Sequence, residues 1–337
     1  MNFKKLITTK EYDFLRTNEH LGNNIILIGL GGSYAYGTNL SNSDIDIRGI
    51  ATNTKRELLI GEDFEQVVDT ATDTTIYSLN KMISLLSNCN PNTVEILGLD
   101  NYIYLNDIGK DLLDNKKLFL SKKCVKSFTG FYNQQIYRLK QKEKTLMSQS
   151  ELETHILKTL QSIKEDFSKR YELVPESGIN LYIDNSNRAD YDTEIFMDID
   201  LKHYPLRDYC DMWNDLKTVV SSYKKLGKRN DYAIEHGRLA KHMMHTIRLQ
   251  YMLLDILEKE EIITYRTIEH DLLMDIRNGK FLTEDYRVKP EFYDLTNDLE
   301  KKIDYAKSHT ALPEEPNYDK INDFKAMINE KVINCSK

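Results

Sequence analysis

The alternation of apolar and polar residues predicts a small β-sheet near the start of the chain. Residues 25–30 (IILIGL) form a compact apolar run that ends at two glycines, which is typical of a buried strand. Residues 44–50 (DIDIRGI) alternate polar with apolar positions, and residues 73–79 (DTTIYSL) are rich in β-branched and aromatic side chains, so each predicts another strand. Residues 57–60 (ELLI) are a weaker strand candidate.

Helical spacing follows the last of these strands. Residues 79–88 place apolar side chains three and four positions apart, which predicts an amphipathic helix. Asn90 and Pro91 break that helix. A short helix is then predicted to begin with Asn92 as its N-cap, and Glu95 would be an acid in its first turn, favoured by the helix dipole.

The rest of the chain is predicted to be mainly helical. Residues 175–205 are the exception, because they lack helical periodicity; they form either an ordered insertion with a short hairpin or a mobile flap. The predicted fold class is therefore α+β, with a small mixed sheet in residues 1–107 and a mainly helical part in residues 108–337. Helices are predicted at 121–145, 151–170, 207–226, 230–259, 267–277, 291–307 and 321–333.

Composition narrows the class of protein. The chain has 337 residues, of which 40% are hydrophobic and 29% charged, so it can form two globular domains with cores. Its net charge of −7 argues against a general nucleic-acid coat and leaves a local basic groove open. Four widely spaced cysteines form no C-x-x-C pair, so we expect no structural zinc and no disulfide framework. No apolar stretch is long enough for a membrane span, and we expect a cytoplasmic protein.

One short segment carries the candidate chemistry. Asp44 and Asp46, two positions apart on a predicted strand, would point to the same face. Neighbouring carboxylates repel each other unless a cation lies between them, and hard oxygen ligands select Mg²⁺ or Mn²⁺. Gly31 and Gly32 would let the backbone approach a phosphate closely, and Ser33 adds a hydroxyl donor. Transfer from a nucleoside triphosphate requires such a phosphate-binding turn beside a carboxylate metal site.

A plainer interpretation stays open for each part of this segment. The Gly-Gly-Ser sequence alone would suit an ordinary turn, and the two aspartates alone would suit a solvated strand face. The functional interpretation rests on the joint pattern of strand, turn, eleven residues from Ser33 to Asp44, and a D-x-D strand that continues apolar. No Walker-type phosphate loop occurs, and the Rossmann pattern fails because Tyr34 occupies its third glycine position.

This joint pattern resembles the signature of the polymerase-β-like nucleotidyltransferase superfamily, an hG[GS]S turn followed by a Dh[DE]h strand. More narrowly, the chain is similar to predicted nucleotidyltransferases found in bacteria and phages beside RNA-repair ligases. Those proteins share a G-S-x-A-Y-G loop, an S-D-x-D-x-R-G strand and an N-P-x-x-x-E motif, and the resemblance is specific over residues 25–100. The matching residues are Gly32, Ser33, Ala35, Tyr36, Gly37, Ser43, Asp44, Asp46, Arg48, Gly49, Asn90, Pro91 and Glu95.

The resemblance implies a metal-dependent transfer of a nucleotide from an NTP to an acceptor hydroxyl. Gly31, Gly32 and Ser33 would hold the nucleotide, and Asp44 and Asp46 would bind the Mg²⁺ or Mn²⁺ ions. It also implies a catalytic sheet domain over the first 107 residues and a helical domain over the remainder that shapes the acceptor site.

A third carboxylate from a neighbouring strand is implied as a further metal ligand and catalytic group. Asp73, which opens the predicted strand 73–79, is the first candidate for it. Asp69 is the second candidate, because spacing alone does not choose between them. If neither serves, the chain would bind nucleotide without transferring it.

The predicted helix 230–259 carries a basic stripe, with Arg238, Lys241, His245 and Arg248 on one face and apolar residues on a nearly opposite one. The stripe is either a solvated face or a surface that closes over the cleft and meets nucleotide or RNA phosphates. We therefore take Lys241, His245 and Arg248 as candidate nucleotide-binding residues.

Three further residues, Tyr36, Arg48 and Arg277, are candidates for other roles. Tyr36 would either bind the nucleotide by stacking on a base or ribose, or pack in the interior. Arg48 would either orient the aspartates or pair with Glu95. Arg277 is a weaker basic candidate of the same kind as the stripe.

Three hypotheses about function follow. The first is nucleotidyl transfer from an NTP to RNA or tRNA in RNA repair, with ATP binding expected and the choice of NTP left open. The second keeps the chemistry but uses a protein side chain as the acceptor. The third is a non-catalytic nucleotide-binding or RNA-binding module of the toxin-neutralising kind on the same fold. The joint presence of the Gly-Gly-Ser turn and the D-x-D pair favours an enzyme over such a module.

Overall fold

The computed structural model places a sheet in the N-terminal part of the chain and helices in most of the remainder. This arrangement confirms the predicted α+β fold class. No helix among the described residues is both long enough and apolar enough to cross a membrane. The structure describes residues 3–145, 153–162, 178–186, 193–224, 238–284 and 286–335.

Contacts within the chain divide it into two compact units. The first comprises Met1–Ile136, Lys241–Phe281 and Pro290–Lys337, and the second comprises Tyr137–Ala240 and Leu282–Lys289. The division into a catalytic and a helical domain at residue 107 concerns function and stays a prediction.

Five strands form the sheet of the first unit, in the order β3-β4-β2-β1-β5. The central pair β2 and β4 is parallel, and the other neighbours are antiparallel, so the sheet is mixed as predicted. The strands are β1 (Ile25–Leu30), β2 (Ile47–Ala51), β3 (Gln66–Asp69), β4 (Thr74–Ser78) and β5 (Tyr102–Leu105).

Helices account for most other described residues, and each helix predicted from residue 121 onward corresponds to one of them, with ends that differ by up to three residues where both ends are described. They are α1 (Phe3–Leu6), α2 (Phe14–Thr17), α3 (Gly32–Tyr36), α4 (Lys55–Ile60), α5 (Leu79–Ser87), α6 (Pro91–Val94), α7 (Asp107–Asp114), α8 (Lys123–Thr145), α9 (153–162), α10 (Leu206–Lys224), α11 (Arg238–Lys259), α12 (His270–Arg277), α13 (Pro290–His309) and α14 (Tyr318–Cys335).

A compact apolar core fixes the sheet, because one face of β1, β2 and β4 packs on the N-terminal helices. Ile47 of β2 and Ile76 of β4 are fully buried in it, and Ile45 packs against its edge. Burying such side chains is the main stabilising contribution to the fold. The buried members are Tyr12, Leu15, Leu21, Ile25, Ile28, Ile47, Ala51, Phe64 and Ile76.

The weaker strand prediction at residues 57–60 is wrong. These residues belong to α4, whose start is stabilised by a capping box: the Thr54 hydroxyl accepts the Glu57 N–H, and the Glu57 carboxylate accepts the Thr54 N–H. This pairing satisfies two otherwise unbonded backbone donors, so it favours a helix over the extended conformation that Leu58 and Leu59 suggested.

The second unit has its own core around a β-hairpin. The strands β6 (Ile179–Asn185) and β7 (Thr193–Ile199) pair antiparallel, so the described part of 175–205 is an ordered hairpin. Apolar side chains of the hairpin pack with those of α9 and α10. The buried members of this core are Ile156, Leu160, Ile179, Leu181, Met212 and Leu216.

Candidate active site

The register of the sheet brings three chain segments to one edge. Leu30 at the end of β1 pairs with Ile47 at the start of β2, and Ile47 also pairs with Thr74 at the start of β4. Because β2 and β4 run parallel, the residues that precede them emerge side by side. The residues that follow β1 emerge at the same edge, since β1 runs antiparallel to β2.

Asp46 and Asp73 therefore become neighbours. The Gly31 N–H donates to the Asp46 carbonyl at 2.8 Å, and the Ile47 N–H donates to the Asp73 carbonyl at 3.1 Å, which fixes both residues at the edge. Their carboxyl groups lie close enough to share a proton in a hydrogen bond. The Asp46 side chain is 21% exposed and that of Asp73 is 59% exposed, so one carboxylate is largely inside and the other is open to solvent.

This proximity is electrostatically unfavourable for two ionised carboxylates. Burial, followed by the hydrogen bond and negative charge of Asp73, raises the pKa of Asp46 to about 6. The same hydrogen bond, followed by the positive charge of Arg48, lowers the pKa of Asp73. The two groups titrate as a pair, and a cation between them would stabilise the doubly ionised form.

Arg48 lies against this carboxylate pair. Its Nη2 is 3.1 Å from Asp73 Oδ1 and 3.8 Å from Asp46 Oδ1, and its Nη1 donates to the Asp73 carbonyl at 2.6 Å. Of the two predicted alternatives, the structure therefore has Arg48 holding the aspartates. The partner of Glu95 is a different arginine, described below.

The two candidates for the third carboxylate lie in different surroundings. Asp69 Oδ2 accepts hydrogen bonds from the Thr72 N–H at 2.9 Å and the Thr72 hydroxyl at 2.7 Å, so it closes the turn between β3 and β4. Asp73 follows in that turn with a left-handed φ of 45°, a conformation that aspartate tolerates, and reaches Asp46. The structure thus brings Asp73 rather than Asp69 next to Asp46. The role of Asp73 as a metal ligand stays a prediction.

The predicted strand 44–50 is shorter than its alternation suggested. It begins at Ile47, and Asp44 and Asp46 precede it. A turn explains the difference: the Ser43 N–H donates to the Leu40 carbonyl, and the Leu40 N–H donates to Ser43 Oγ. Asp44 is therefore exposed and precedes the sheet, and its alignment with Asp46 on one face stays a prediction.

The Gly-Gly-Ser segment continues from β1 directly beside Asp46. Gly31 precedes α3, and Gly32 has a φ of +57°. A Cβ atom on Gly32 would lie 1.7 Å from Asp46 Oδ2, so there is no room for a side chain at this position. Glycine is therefore required here for both conformation and space, and the backbone of the turn lies against the carboxylate. Ser33 follows in the first turn of α3 and is buried.

We expect Gly32→Ala to weaken metal-dependent NTP binding by about tenfold or more, because the new methyl group would displace the Asp46 carboxylate. Isothermal titration calorimetry with a non-hydrolysable NTP and Mg²⁺ would measure the effect. Gly61→Ala is the matched control, since Gly61 also has a positive φ of 75° but open space around its Cβ position. Equal affinities for both variants would contradict a site that includes the Gly32 turn.

Behind α3 lies a buried polar cluster. The Tyr36 hydroxyl donates to the Glu95 carboxylate at 3.0 Å, and Arg248 Nη1 donates to Glu95 Oε2 at 3.0 Å. The Arg248 guanidinium also stacks on the Tyr36 ring, 3.6 Å from its centroid, and the His245 ring meets Tyr36 edge-on at 5.7 Å. The Thr264 hydroxyl donates to the Glu95 carbonyl at 2.6 Å. The cluster joins α3 and α11 through Glu95, which follows α6.

This cluster corrects two expectations. The short helix α6 is capped by Asn90, whose Oδ1 accepts the Asn92 N–H, so Asn92 is not the cap. Glu95 is not in the first turn of this helix; it follows its last residue, Val94, and is buried in an ion pair with Arg248. Burial raises the pKa of Glu95, and the Arg248 charge opposes that rise. Thr264 has no sequence signal that would have placed it here.

The basic stripe of α11 divides between interior and surface. Arg248 is 3% exposed, and burial followed by the Arg248 charge lowers the pKa of His245 well below its usual value, which keeps that imidazole neutral. Lys241 is exposed, and its positive charge favours the ionised form of both Asp46 and Asp73, which lowers their pKa. The side chain of Arg238 lies outside the part of the chain that the structure describes. The stripe is therefore not one solvated face.

The carboxylate pair has the donor chemistry of a magnesium site. Among the described residues, no group of three or more His, Cys, Asp and Glu side chains is arranged to hold a metal ion. Asp46 and Asp73 nevertheless place adjoining carboxylate oxygens at a solvent-accessible edge. Mg²⁺ usually takes only one or two carboxylates from the protein and completes its octahedron with water and substrate phosphates. The residues present fit such a cation.

Comparison with known proteins gives one family. A model described as RlaP, RNA repair pathway DNA polymerase beta family, matches residues 7–195. The matched range contains the whole five-stranded sheet and all four candidate aspartates, Asp44, Asp46, Asp69 and Asp73, and it ends before Lys241, His245 and Arg248. No curated protein and no solved structure matches the chain.

Proposed function

Because the chain belongs to the RNA repair pathway DNA polymerase beta family, we propose that it transfers an NMP group from an NTP to a hydroxyl group of RNA. This membership agrees with the family indicated by the G-S-x-A-Y-G and S-D-x-D-x-R-G motifs. The observation that carries the proposal is the pair of adjoining carboxylates, Asp46 and Asp73, beside the Gly32 turn.

The reaction would form a bond from the acceptor oxygen to the α-phosphorus and break the bond between the α-phosphorus and pyrophosphate. Bound Mg²⁺ or Mn²⁺ would neutralise the triphosphate and favour ionisation of the acceptor hydroxyl. Asp46 and Asp73, together with the exposed Asp44, would hold the metal. Asp73 is more open to solvent than Asp46, so it is the better placed of the two to take the acceptor's proton.

Other residues would bind and orient the substrate. The backbone of Gly31 and Gly32 and the Ser33 hydroxyl would contact the triphosphate. Arg48 would keep Asp46 and Asp73 together, since it contacts both. Holding these groups in place before the substrate arrives reduces the reorganisation needed during reaction.

The residues of α11 would act in two ways. Lys241, which is exposed and whose charge acts on both carboxylates, would bind a nucleotide phosphate. Direct nucleotide contact by Tyr36, His245 and Arg248 stays a prediction. Their mutual packing and the Glu95 ion pair support a role in holding α3, and through it the Gly-Gly-Ser turn.

Transfer of radioactive label tests this proposal. The full chain would be incubated with each α-labelled NTP, Mg²⁺ or Mn²⁺, and either total cellular RNA or a protein lysate. An Asp44→Ala, Asp46→Ala double variant is the control. We expect label on RNA with the wild type alone. Label on protein alone would show that the acceptor is a protein and not RNA. NTP binding without label on either RNA or protein would favour the non-catalytic module.

A further inference from the structure

A further cationic group, besides Arg48 and Lys241, reaches the candidate active site from α12. Arg277, in the last turn of that helix, donates from Nη2 to Ser43 Oγ at 3.3 Å. Ser43 immediately precedes Asp44, so the guanidinium touches the loop that carries the candidate metal ligands. The family match ends at residue 195 and therefore does not include Arg277.

The remaining donors of this guanidinium have no partner. Arg277 Nε and Nη1 are buried and make no hydrogen bond. A buried donor without an acceptor is strongly unfavourable, and more so on a charged group. The position at a helix C-terminus explains why a cation is tolerated, because the dipole favours it, but the dipole supplies no acceptor for the N–H groups of these two nitrogens. The oxygens of an anion would supply such acceptors.

The surroundings of Arg277 are positively charged. Its charge, like those of Lys241 and Arg248, acts on the His245 imidazole. The Arg248 charge is matched by Glu95, at 3.0 Å. Neither Arg277 nor Lys241 has a carboxylate oxygen within 4.0 Å among the described residues. This side of the site thus holds two cations without an ion-pair partner, beside a loop that leads to the carboxylates.

We infer that Arg277 is an anion-binding residue whose free N–H on Nε or Nη1 donates, beside the second N–H of Nη2, to a phosphate group of the substrate. The guanidinium fork matches phosphate oxygens in a two-point contact, which a lysine could not reproduce. The inference rests on the proposed function only in taking that phosphate as the substrate's. Two sources share the chemistry: the triphosphate of the NTP and a phosphate of the acceptor RNA.

Affinities of the full-length Arg277→Gln and Arg277→Lys variants test the inference without any transfer reaction. The probes are inorganic tripolyphosphate, a non-hydrolysable NTP with Mg²⁺, and a short RNA oligonucleotide with and without a terminal phosphate. We expect Arg277→Gln to lose about tenfold or more in affinity for one class of probe, and Arg277→Lys to lose less. Arg56→Gln is the matched control, because Arg56 is exposed on α4, and it should bind every probe like the wild type.

The pattern of losses identifies the source of the phosphate. Weaker binding of tripolyphosphate and NTP, with RNA binding unchanged, assigns Arg277 to the triphosphate. Weaker binding of the phosphorylated oligonucleotide alone assigns it to the acceptor. Affinities within twofold of the wild type for all probes would overturn the inference, even if the chain transfers nucleotides. If Arg277→Gln weakens binding of a phosphate probe but the wild-type chain transfers no nucleotide, the inference about Arg277 is supported and the proposed function fails.

Thermal stability separates binding from a structural role. Without ligand, Arg277→Gln should melt at or above the wild-type temperature, since it removes unpaired buried donors, and tripolyphosphate or the oligonucleotide should raise the melting temperature of the wild type more. A lower melting temperature with unchanged affinities would overturn the inference. If Arg277→Gln does not fold, Arg277→Lys carries the test, and wild-type affinity in that variant would overturn it.

Discussion

Asp46→Asn is expected to abolish nucleotidyl transfer, by roughly 10³-fold or more, without loss of folded structure. The substitution keeps the shape of the side chain and removes the charge that would bind the metal. Asp46 is the more buried member of the carboxylate pair and lies against Gly32, so no neighbouring residue can take its place. Initial rates of label transfer from an α-labelled NTP would measure the loss.

The same variant should be slightly more stable than the wild type when no divalent cation is present. Burial and the nearby Asp73 raise the pKa of Asp46 to about 6, so above that pH the folded chain carries a charge that it disfavours. A carboxyl group whose pKa is raised in the folded state destabilises the fold as the pH rises from the pKa of the unfolded state through the pKa of the folded state. Removing the charge should therefore raise the free energy of unfolding by about 1 kcal/mol at neutral pH, after allowance for solvent screening.

Thermal melts at pH 7.5 with a chelator would measure this gain. Asp69→Asn is the matched control at the same sheet edge: it should keep transfer within about threefold, because Asp69 bonds only to Thr72 among the described contacts. Wild-type transfer by Asp46→Asn would contradict the proposed site. Loss of transfer with Asp69→Asn, and not with Asp73→Asn, would reverse the choice of third carboxylate.

Arg248→Met is expected to lower the free energy of unfolding by about 3–5 kcal/mol. Arg248 is 3% exposed and forms its ion pair with a buried Glu95, so the substitution leaves a carboxylate in the interior without its cation. The stacking of the guanidinium on Tyr36 would be lost as well. Urea unfolding followed by circular dichroism would measure the change.

The double variant Glu95→Gln, Arg248→Met should recover much of that stability, since it removes both charges together. Lys241→Met, on the exposed side of the same helix, should change the free energy of unfolding by less than about 0.5 kcal/mol while weakening NTP binding. If Arg248→Met instead weakened NTP binding with little effect on stability, Arg248 would be a nucleotide ligand and not part of a structural cluster.

The sequence predicted local elements well where one periodicity dominated. The apolar run 25–30 and the helix beginning at residue 79 agree with β1 and α5 within a residue or two. The strand 44–50 was too long, because alternation cannot reveal the turn between Leu40 and Ser43 that keeps Asp44 off the sheet. The capping box of α4 was present in the sequence, as Thr54 and Glu57, and it overrides the apolar run that suggested a strand.

Long-range partners were harder to predict than elements. The parallel pairing of β2 and β4 decides that Asp73 and not Asp69 reaches Asp46, and spacing along the chain contains no information about that register. Likewise the stripe on α11 looked uniform, yet Arg248 finds Glu95 from a region 153 positions away in sequence. A helix period gives the direction of a side chain, but the partner it meets depends on tertiary packing.

The most direct test of the account is to compare NTP labelled at the α-phosphate with NTP labelled at the γ-phosphate. Both would be incubated in parallel with the full chain, Mg²⁺ and RNA, using wild type and Asp46→Asn. We expect label to enter RNA from the α-position alone, with release of pyrophosphate, and we expect Asp46→Asn to transfer none. Label entering RNA from the γ-position, or equal transfer by both proteins, would contradict nucleotidyl transfer at this site.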